Sequence, residues 1–374
     1  MSNGYVPYLL LTAKEVYKGN NPGQKVTPPG FLRMLLENTK PNVLSTGVDD
    51  GTGHIKEVKV KYRPRVRSGA TITVDDCSIQ ARPAYSEATV GTTLFRKYSY
   101  FLDDDTIARY SADASRQVMK VGSIAYLNQI TPFMQEQWDL LMEAANAVLG
   151  DIDKDLLTKQ ASNFGKNQTT GLTSTKSMNF PLNATNNDLT AGMSGLLADA
   201  RANEIDLSKC AFVGSGLIDN YILQQAAKTA AQNGLNTALQ AMPNFYQDYY
   251  AASQWGANQF GIFEKDAVQL IDVNRYVGFK GGIRPGGSWF GNMPLPIYDS
   301  QGNMIMMNFD IQMKYIDCPE SVAIGDEYVS NVGRGWQIIV SKSFDLFVQP
   351  SDMYSSQDRL TGVNGTLRYT ASNS

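Results

Sequence analysis

The chain has 374 residues, 43% of them hydrophobic and 18% charged, with a formal net charge of -3. That length suffices for two or three domain-sized units or one large elaborated fold, and the near-neutral balance argues against a dedicated nucleic-acid binder, which carries a clear basic excess. A single histidine, His54, and three scattered cysteines, Cys77, Cys210 and Cys318, offer no His pair, Cys/His cluster or disulfide framework, which nearly excludes triads and His- or Cys-based metal sites and suggests folding in a reducing cytoplasm.

In chain order, residues 1 to about 50 read as an extended arm. The patch Val6 to Leu11 is short, contains Pro7 and has no basic residue before it, so it is no secretory signal. No apolar run approaches the roughly 20 residues of a membrane span. Turn chemistry at 19–23 and 27–30 brackets a short helix over Phe31 to Leu36. Little here could bury a core by itself, so the arm is expected to pack on something else.

Residues 55–67 follow, Ile-Lys-Glu-Val-Lys-Val-Lys-Tyr-Arg-Pro-Arg-Val-Arg. Val58, Val60, Tyr62 and Val66 share one parity, and Glu57, Lys59, Lys61, Arg63, Arg65 and Arg67 share the other. A strand sends alternate side chains to opposite faces, so one face is apolar and the other almost purely cationic. Pro64 removes a backbone donor, which predicts an edge strand. A turn at Ser68-Gly69 and a returning strand over Thr71 to Val74 complete a candidate hairpin. Three partners suit the cationic face: solvent, nucleic-acid phosphate bound without specificity, or an acidic protein surface.

Leu94 to Leu102 reads as a strand ending in Asp103-Asp104-Asp105, with Asp105 or Thr106 capping a helix that carries Ile107, Tyr110, Ala114 and Val118. The clearest helix runs from Thr131 to about Asn163. Pro132 sits at its first position, and Trp138, Leu141, Ala145, Val148, Ile152 and Leu156 form one stripe. Glu136, Asp139 and Glu143 project from nearly the opposite side. Gly150 is an interior weak point and a candidate bend or break. A continuous helix there would span roughly 45 Å. Its acidic side offers the cationic strand a partner of opposite sign within the same sequence, which suits a homomeric contact.

Residues 164–188 read as loop. A helix around Met193 to Ala200, a short buried strand over Lys209 to Gly214 and a third helix from a Ser215 cap to about Gln232 follow. From 240 onward the chain is aromatic, glycine-rich and strand-like. Met304 to Ile316, Trp336 to Val348 and 365–371 are strand candidates.

Catalytic signals are thin. Gly165-Lys166 lacks the upstream glycine of a phosphate loop, and the glycines at 281–287 fit no dinucleotide pattern. Val213-Gly214-Ser215-Gly216 has the wrong spacing for a nucleophile elbow. The acidic clusters 49–50, 75–76 and 103–105 read as turns and caps, since adjacent acids in a strand point to opposite faces. A carboxylate-based hydrolase, with the aromatics at 246–263 as a binding platform, stays open as a minor reading. No catalytic residue, metal site or cofactor is expected.

Three stretches carry a family resemblance: Phe95 through Asp105, Ala211 through Ile218, and Asp358 through Tyr369. With the overall layout, they resemble the major capsid proteins of tailed bacteriophages. The resemblance implies an α+β Hong Kong phage-type capsid fold, with an N-terminal arm (1–50), an extended hairpin loop (51–102) and a peripheral domain with a long spine helix (103–209). An axial domain (210–310) and return strands (311–374) would follow. It also implies self-assembly through pentamers and hexamers into an icosahedral shell around double-stranded DNA, with portal, scaffold or decoration proteins as further partners and no membrane. The packaged DNA would be touched only non-specifically. The protein would be made in the host bacterial cytoplasm and reside in the virion. In that family the extended loop lies across a neighbour's peripheral domain, which makes Lys59, Lys61, Arg63, Arg65 and Arg67 on one copy, and Glu136, Asp139 and Glu143 on the next, the expected contact. An encapsulin-like compartment or a tail protein is the alternative.

Overall fold

A computed structural model describes residues 26–38, 43–45, 57–62, 86–91, 94–103, 132–167, 169, 175–180, 191–203, 205–218, 220–221, 244–275, 288–299, 302–317, 322–324, 327–329, 334–350 and 362–373. Arg63, Arg65 and Arg67 lie outside that set, as do the strand expected over Thr71 to Val74, the helix expected at 107–118 and most of the third helix. His54 and the acidic pairs at 49–50 and 75–76 do too.

The fold is mixed α+β. Helix α1 (Gly30–Asn38) comes first, then β1 (Val43–Ser45), β2 (Glu57–Tyr62), β3 (Ser86–Gly91) and β4 (Leu94–Asp103). The long helix α2 (Pro132–Ala161) follows, then β5 (Thr175–Asn179), α3 (Ala191–Ala202), β6 (Cys210–Gly214), β7 (Asn244–Gln247), the single turn α4 (Ala251–Gln254) and β8 (Gln259–Glu264). The remaining strands are β9 (Val268–Val273), β10 (Ser288–Tyr298), β11 (Met304–Asp317), β12 (Val322–Ile324), β13 (Glu327–Val329), β14 (Arg334–Val348) and β15 (Thr366–Ser372).

Two five-stranded sheets organise the molecule. In the first, β10, β11, β14 and β4 are neighbours in that order, and β9 continues beside the C-terminal half of β14. Every second residue of β11, namely Met307, Phe309, Ile311 and Met313, is buried, whereas Met304 and Met306 are exposed. This period-2 pattern turns one face toward α2. The α2 stripe Trp138, Leu141, Ala145, Val148, Ile152 and Leu156 is buried as its spacing predicts, and it joins the β11 residues in the main core. The helix runs unbroken through Gly150, where a bend or break was expected. Thirty residues of i to i-4 hydrogen bonding, packed along a whole sheet, outweigh one glycine's loss of about 1 kcal/mol.

Two ion pairs tie that helix to the sheet. Arg96 on β4 forks onto Asp155 with both bonds at 2.6 Å, and Lys159 pairs with Asp345 on β14.

The second sheet runs β5-β15-β8-β6-β7. It separates two cores. Ala211 and Val213 of β6 face the main core, while Cys210 and Phe212 face a second core beneath α3 with Phe260, Ile262, Leu367 and Tyr369. A strand buried on both faces reads as a continuous apolar run, which is why Cys-Ala-Phe-Val is legible as buried. Strand β5 corrects the loop expected over 164–188. Its residues are mostly polar, and it exists because it pairs in parallel with β15 from Thr175 to Asn179. Ser215 is also not the cap it was expected to be. Its Oγ is buried without a hydrogen-bond partner, and the Leu217 amide donates instead to Asn258 Oδ1 at 3.2 Å. Asn258 holds φ +60, a left-handed conformation that Asn tolerates better than most residues.

The described part of the arm packs on something else, as expected, and that is the main core of its own chain. Phe31, Leu32, Met34 and Leu35 of α1 are buried in the main core of their own chain. Phe31 rings against Trp255 and Phe263, with centroids 5.9 and 5.3 Å away. The aromatic crowd at 246–263 is thus mainly core. Tyr246, Trp255, Phe260 and Phe263 are buried, and only Tyr249, at 77%, is strongly exposed.

Candidate assembly surface

The cationic strand is β2, and its alternation holds. Val58 and Val60 are buried, Lys59 is exposed and Lys61 is partly so. Their apolar face does not hang in solvent. With Val90 it packs on Ile271 and Val273 of β9 and Phe347 of β14. The root of the hairpin is therefore seated on the first sheet.

The edge assignment is corrected. β2 is the middle of three strands, between β1 and β3. Val43 and Ser45 face Val60 and Lys59 on one side, and the run Glu57 to Tyr62 pairs with Gly91 to Ser86 on the other. Pro64 could not enforce an edge on residues that precede it. The described strand pairs on that side with Ser86–Gly91, and residues 63–85, which include the expected turn and returning strand, lie outside the described residues.

That register has an electrostatic consequence. Lys61 stands opposite Glu87, and their charges meet at 3.3 Å with both side chains more than 40% exposed. An exposed pair of this kind contributes roughly 0–1 kcal/mol, but it halves the cationic character of the described strand. Lys59, opposite Thr89, keeps its charge outward.

The acidic side of α2 divides in two. Toward its C-terminal end the carboxylates are engaged within the chain: Asp151 with Lys154 at 3.2 Å, Asp155 with Arg96, and Asp153 inside the core. In the N-terminal half, Glu136 and Glu143 are exposed and Asp139 is partly exposed. No ion pair among the described residues engages these three or joins them to Lys59 or Lys61.

Sequence reasoning missed Glu87 and the Arg96–Asp155 fork, because both depend on which strands meet. It also missed a buried polar cluster around Asp199. Asn167, Thr169, Lys176 and Tyr369 all donate to that carboxylate. Burial pushes the Asp199 carboxyl up, but these donors outweigh it and hold the group below the usual carboxylate range. The cluster joins α3 to β5 and β15 and is fully partnered, as a structural network should be.

Among the described residues no three His, Cys, Asp or Glu side chains converge as metal ligands, and no helix is long and apolar enough to cross a membrane.

No protein-family model matches the sequence, and no curated protein matches it either. Among solved structures, the chain is similar over 95% of its length to one described as the capsid of the cyanophage P-SCSP1u, with 12% identity, a TM-score of 0.43 and 92% of that chain covered. It is similar over 90% of its length to the mature capsid of bacteriophage PhiM1, with 7% identity, a TM-score of 0.40 and 87% covered. It is similar over 92% of its length to a virus-like particle from Pyrococcus furiosus, with 9% identity, a TM-score of 0.35 and 95% covered.

Proposed function

We propose that the chain is the major capsid protein of a tailed phage. Copies assemble through pentamers and hexamers into an icosahedral shell around double-stranded DNA. The observation that supports this most is the order and seating of three parts. A hairpin root is packed on a sheet, a 30-residue helix is clamped across that sheet's other core, and a second sheet follows in the chain. In this reading 51–102 is the extended loop, 103–209 the peripheral domain, 210–310 the axial domain and 311–374 the return. The protein carries no catalytic chemistry of its own. It is made in the host cytoplasm and ends in the virion.

The contact proposed between copies pairs Lys59, Lys61, Arg63, Arg65 and Arg67 with Glu136, Asp139 and Glu143 of a neighbour. Within one chain Glu136, Asp139 and Glu143 have no described ion-pair partner, and Lys61 can exchange Glu87 for another acid at little loss. Such pairs set register more than strength, since opposite charges steer and orient a contact.

Electron microscopy of the purified, concentrated protein is the direct test. Closed shells support the reading, DNA inside them favours a phage capsid, and a co-purified enzyme favours an encapsulin-like compartment. Reversing Glu136, Asp139 and Glu143 to Lys is expected to abolish shells while circular dichroism and melting stay those of the native subunit. Mixing that variant with one in which Lys59, Lys61, Arg63, Arg65 and Arg67 are Glu is expected to restore contacts between unlike copies. Normal shells from the acidic-face variant alone would refute the pairing.

A further inference from the structure

Asp153 lies in the middle of α2 and is completely buried. Asp248 follows β7 and is completely buried too. The two carboxyl groups lie side by side, since each takes one of two successive amides at the start of α1. The Phe31 amide donates to Asp248 Oδ2 at 2.7 Å, and the Leu32 amide donates to Asp153 Oδ1 at 2.7 Å. These are two of the four amides that a helix start leaves without internal partners.

The donors are divided unequally. Asp248 also accepts from the amides of Tyr250 at 2.8 Å and Ala251 at 3.2 Å. Asp153 accepts from Leu32 alone, and its Oδ2 has no donor. Two neighbouring buried carboxylates, with no cation bonded to either among the described residues, cannot both stay ionised. One bound proton resolves this, and the unpartnered Oδ2 of Asp153 is the place for it.

We propose that the Asp153–Asp248 pair is a proton-held latch, which fixes the N-terminal helix to the long helix when one proton is bound and loosens it when that proton leaves. Among the described residues no cation is bonded to either carboxyl. From α1, Arg33 lies over the Tyr246 ring at 5.5 Å and Glu37 accepts from the Tyr246 hydroxyl. From α2, Lys154 pairs with Asp151 and sits over the Tyr250 ring, and Asp155 is held by Arg96. From β9, Asp272 is paired with Lys342. Burial first, and then the charge of Asp248, push the Asp153 carboxyl well above the usual carboxylate range, against the pull of the Leu32 amide.

The direction follows from linkage. A released α1 leaves the Asp153 carboxyl open to water, near the ordinary value of about 3.9. The docked state keeps a proton to higher pH. Docking is thus at full strength below about pH 4 and weakens as pH rises through the raised value of Asp153.

Amide hydrogen exchange on the full-length, unassembled subunit between pH 5 and 9 tests this without any shell being formed. After correction for intrinsic exchange, protection of residues 31–35 is expected to fall by up to about tenfold per pH unit until the proton is gone. The α3 amides serve as an internal reference and are expected to stay flat. Asp153→Asn supplies a neutral amide of the same shape, which accepts from Leu32 and donates to Asp248, and is expected to remove the slope in α1. Asp248→Asn keeps one oxygen for the Tyr250 and Ala251 amides but turns the other into an NH2 group that cannot accept from Phe31, and is expected to lower α1 protection at every pH. A flat wild-type profile, a slope shared equally by α3, or an Asp153→Asn profile as steep as wild type would each overturn the latch. Equal effects from the two Asn variants would overturn the placement of the proton. If Asp153→Asn does not fold, the wild-type slope relative to α3 decides alone.

Discussion

Gly30 opens α1, and a β-carbon there would run into the backbone carbonyl of Gln247 and the side chain of Asp248. The helix can approach β7 this closely only without a side chain at that position. The same approach puts Phe31 and Leu32 within reach of the two carboxyls. Gly30→Ala is therefore expected to destabilise the protein by roughly 1–3 kcal/mol, the usual range for overpacking against something that cannot move. A urea midpoint lowered at constant m-value would show it. An unchanged midpoint would mean that α1 is seated less tightly than its contacts indicate. Residues of this kind are hard to see in a sequence. Gly30 follows Pro28 and Pro29 and reads as turn chemistry, and the partner that makes it necessary is more than two hundred positions away. The same is true of Glu87 beside Lys61, which only the strand register brings together.

Elements were easier to read where one periodic pattern met one buried surface. The α2 stripe and the inward residues of β11 and β14 announce themselves through spacing, because one face of each is apolar and the rest is not. The misreadings have a common physical cause: partners that carry no signal of their own. β5 is polar and is made a strand by β15. Pro64 makes β2 read as an edge, while the strand that covers it, β1, is only three residues long and carries no alternation of its own. Gly150 was read by propensity alone, yet the packing of the whole helix overrides it. Its own position gives a test. A β-carbon at Gly150 would meet only the Tyr250 ring and hydroxyl, the nearest atom at 3.4 Å. Gly150→Ala is thus expected to stabilise the protein by about 0.5–1 kcal/mol through the gain in helix propensity, read as a raised melting temperature. A lowered one would show that the Tyr250 hydroxyl has no room to give.

At the scale of the whole molecule, α1 occupies the junction of three bodies: the long helix, the first sheet through β9, and the second sheet through β6 and β7. The main core is continuous across that junction, from Phe31 through Trp255, Phe164 and Phe263 to the α2 stripe. Each of Phe31, Leu32, Met34 and Leu35 buries nearly its whole side chain, at roughly 1.5–3 kcal/mol apiece as an upper estimate. Their sum is comparable to the 5–15 kcal/mol by which a typical domain is stable at all. The N-terminal segment is therefore not a detachable appendage from residue 26 onward. A chain shortened to begin at residue 39 is expected to lose the near-ultraviolet circular dichroism of the packed aromatics and to expose Trp255 and Phe263 to a hydrophobic dye. If the shorter chain instead retained its near-ultraviolet spectrum and melting temperature and failed only to form shells, α1 would act between copies rather than within one, and the buried carboxyl pair would have no helix to hold.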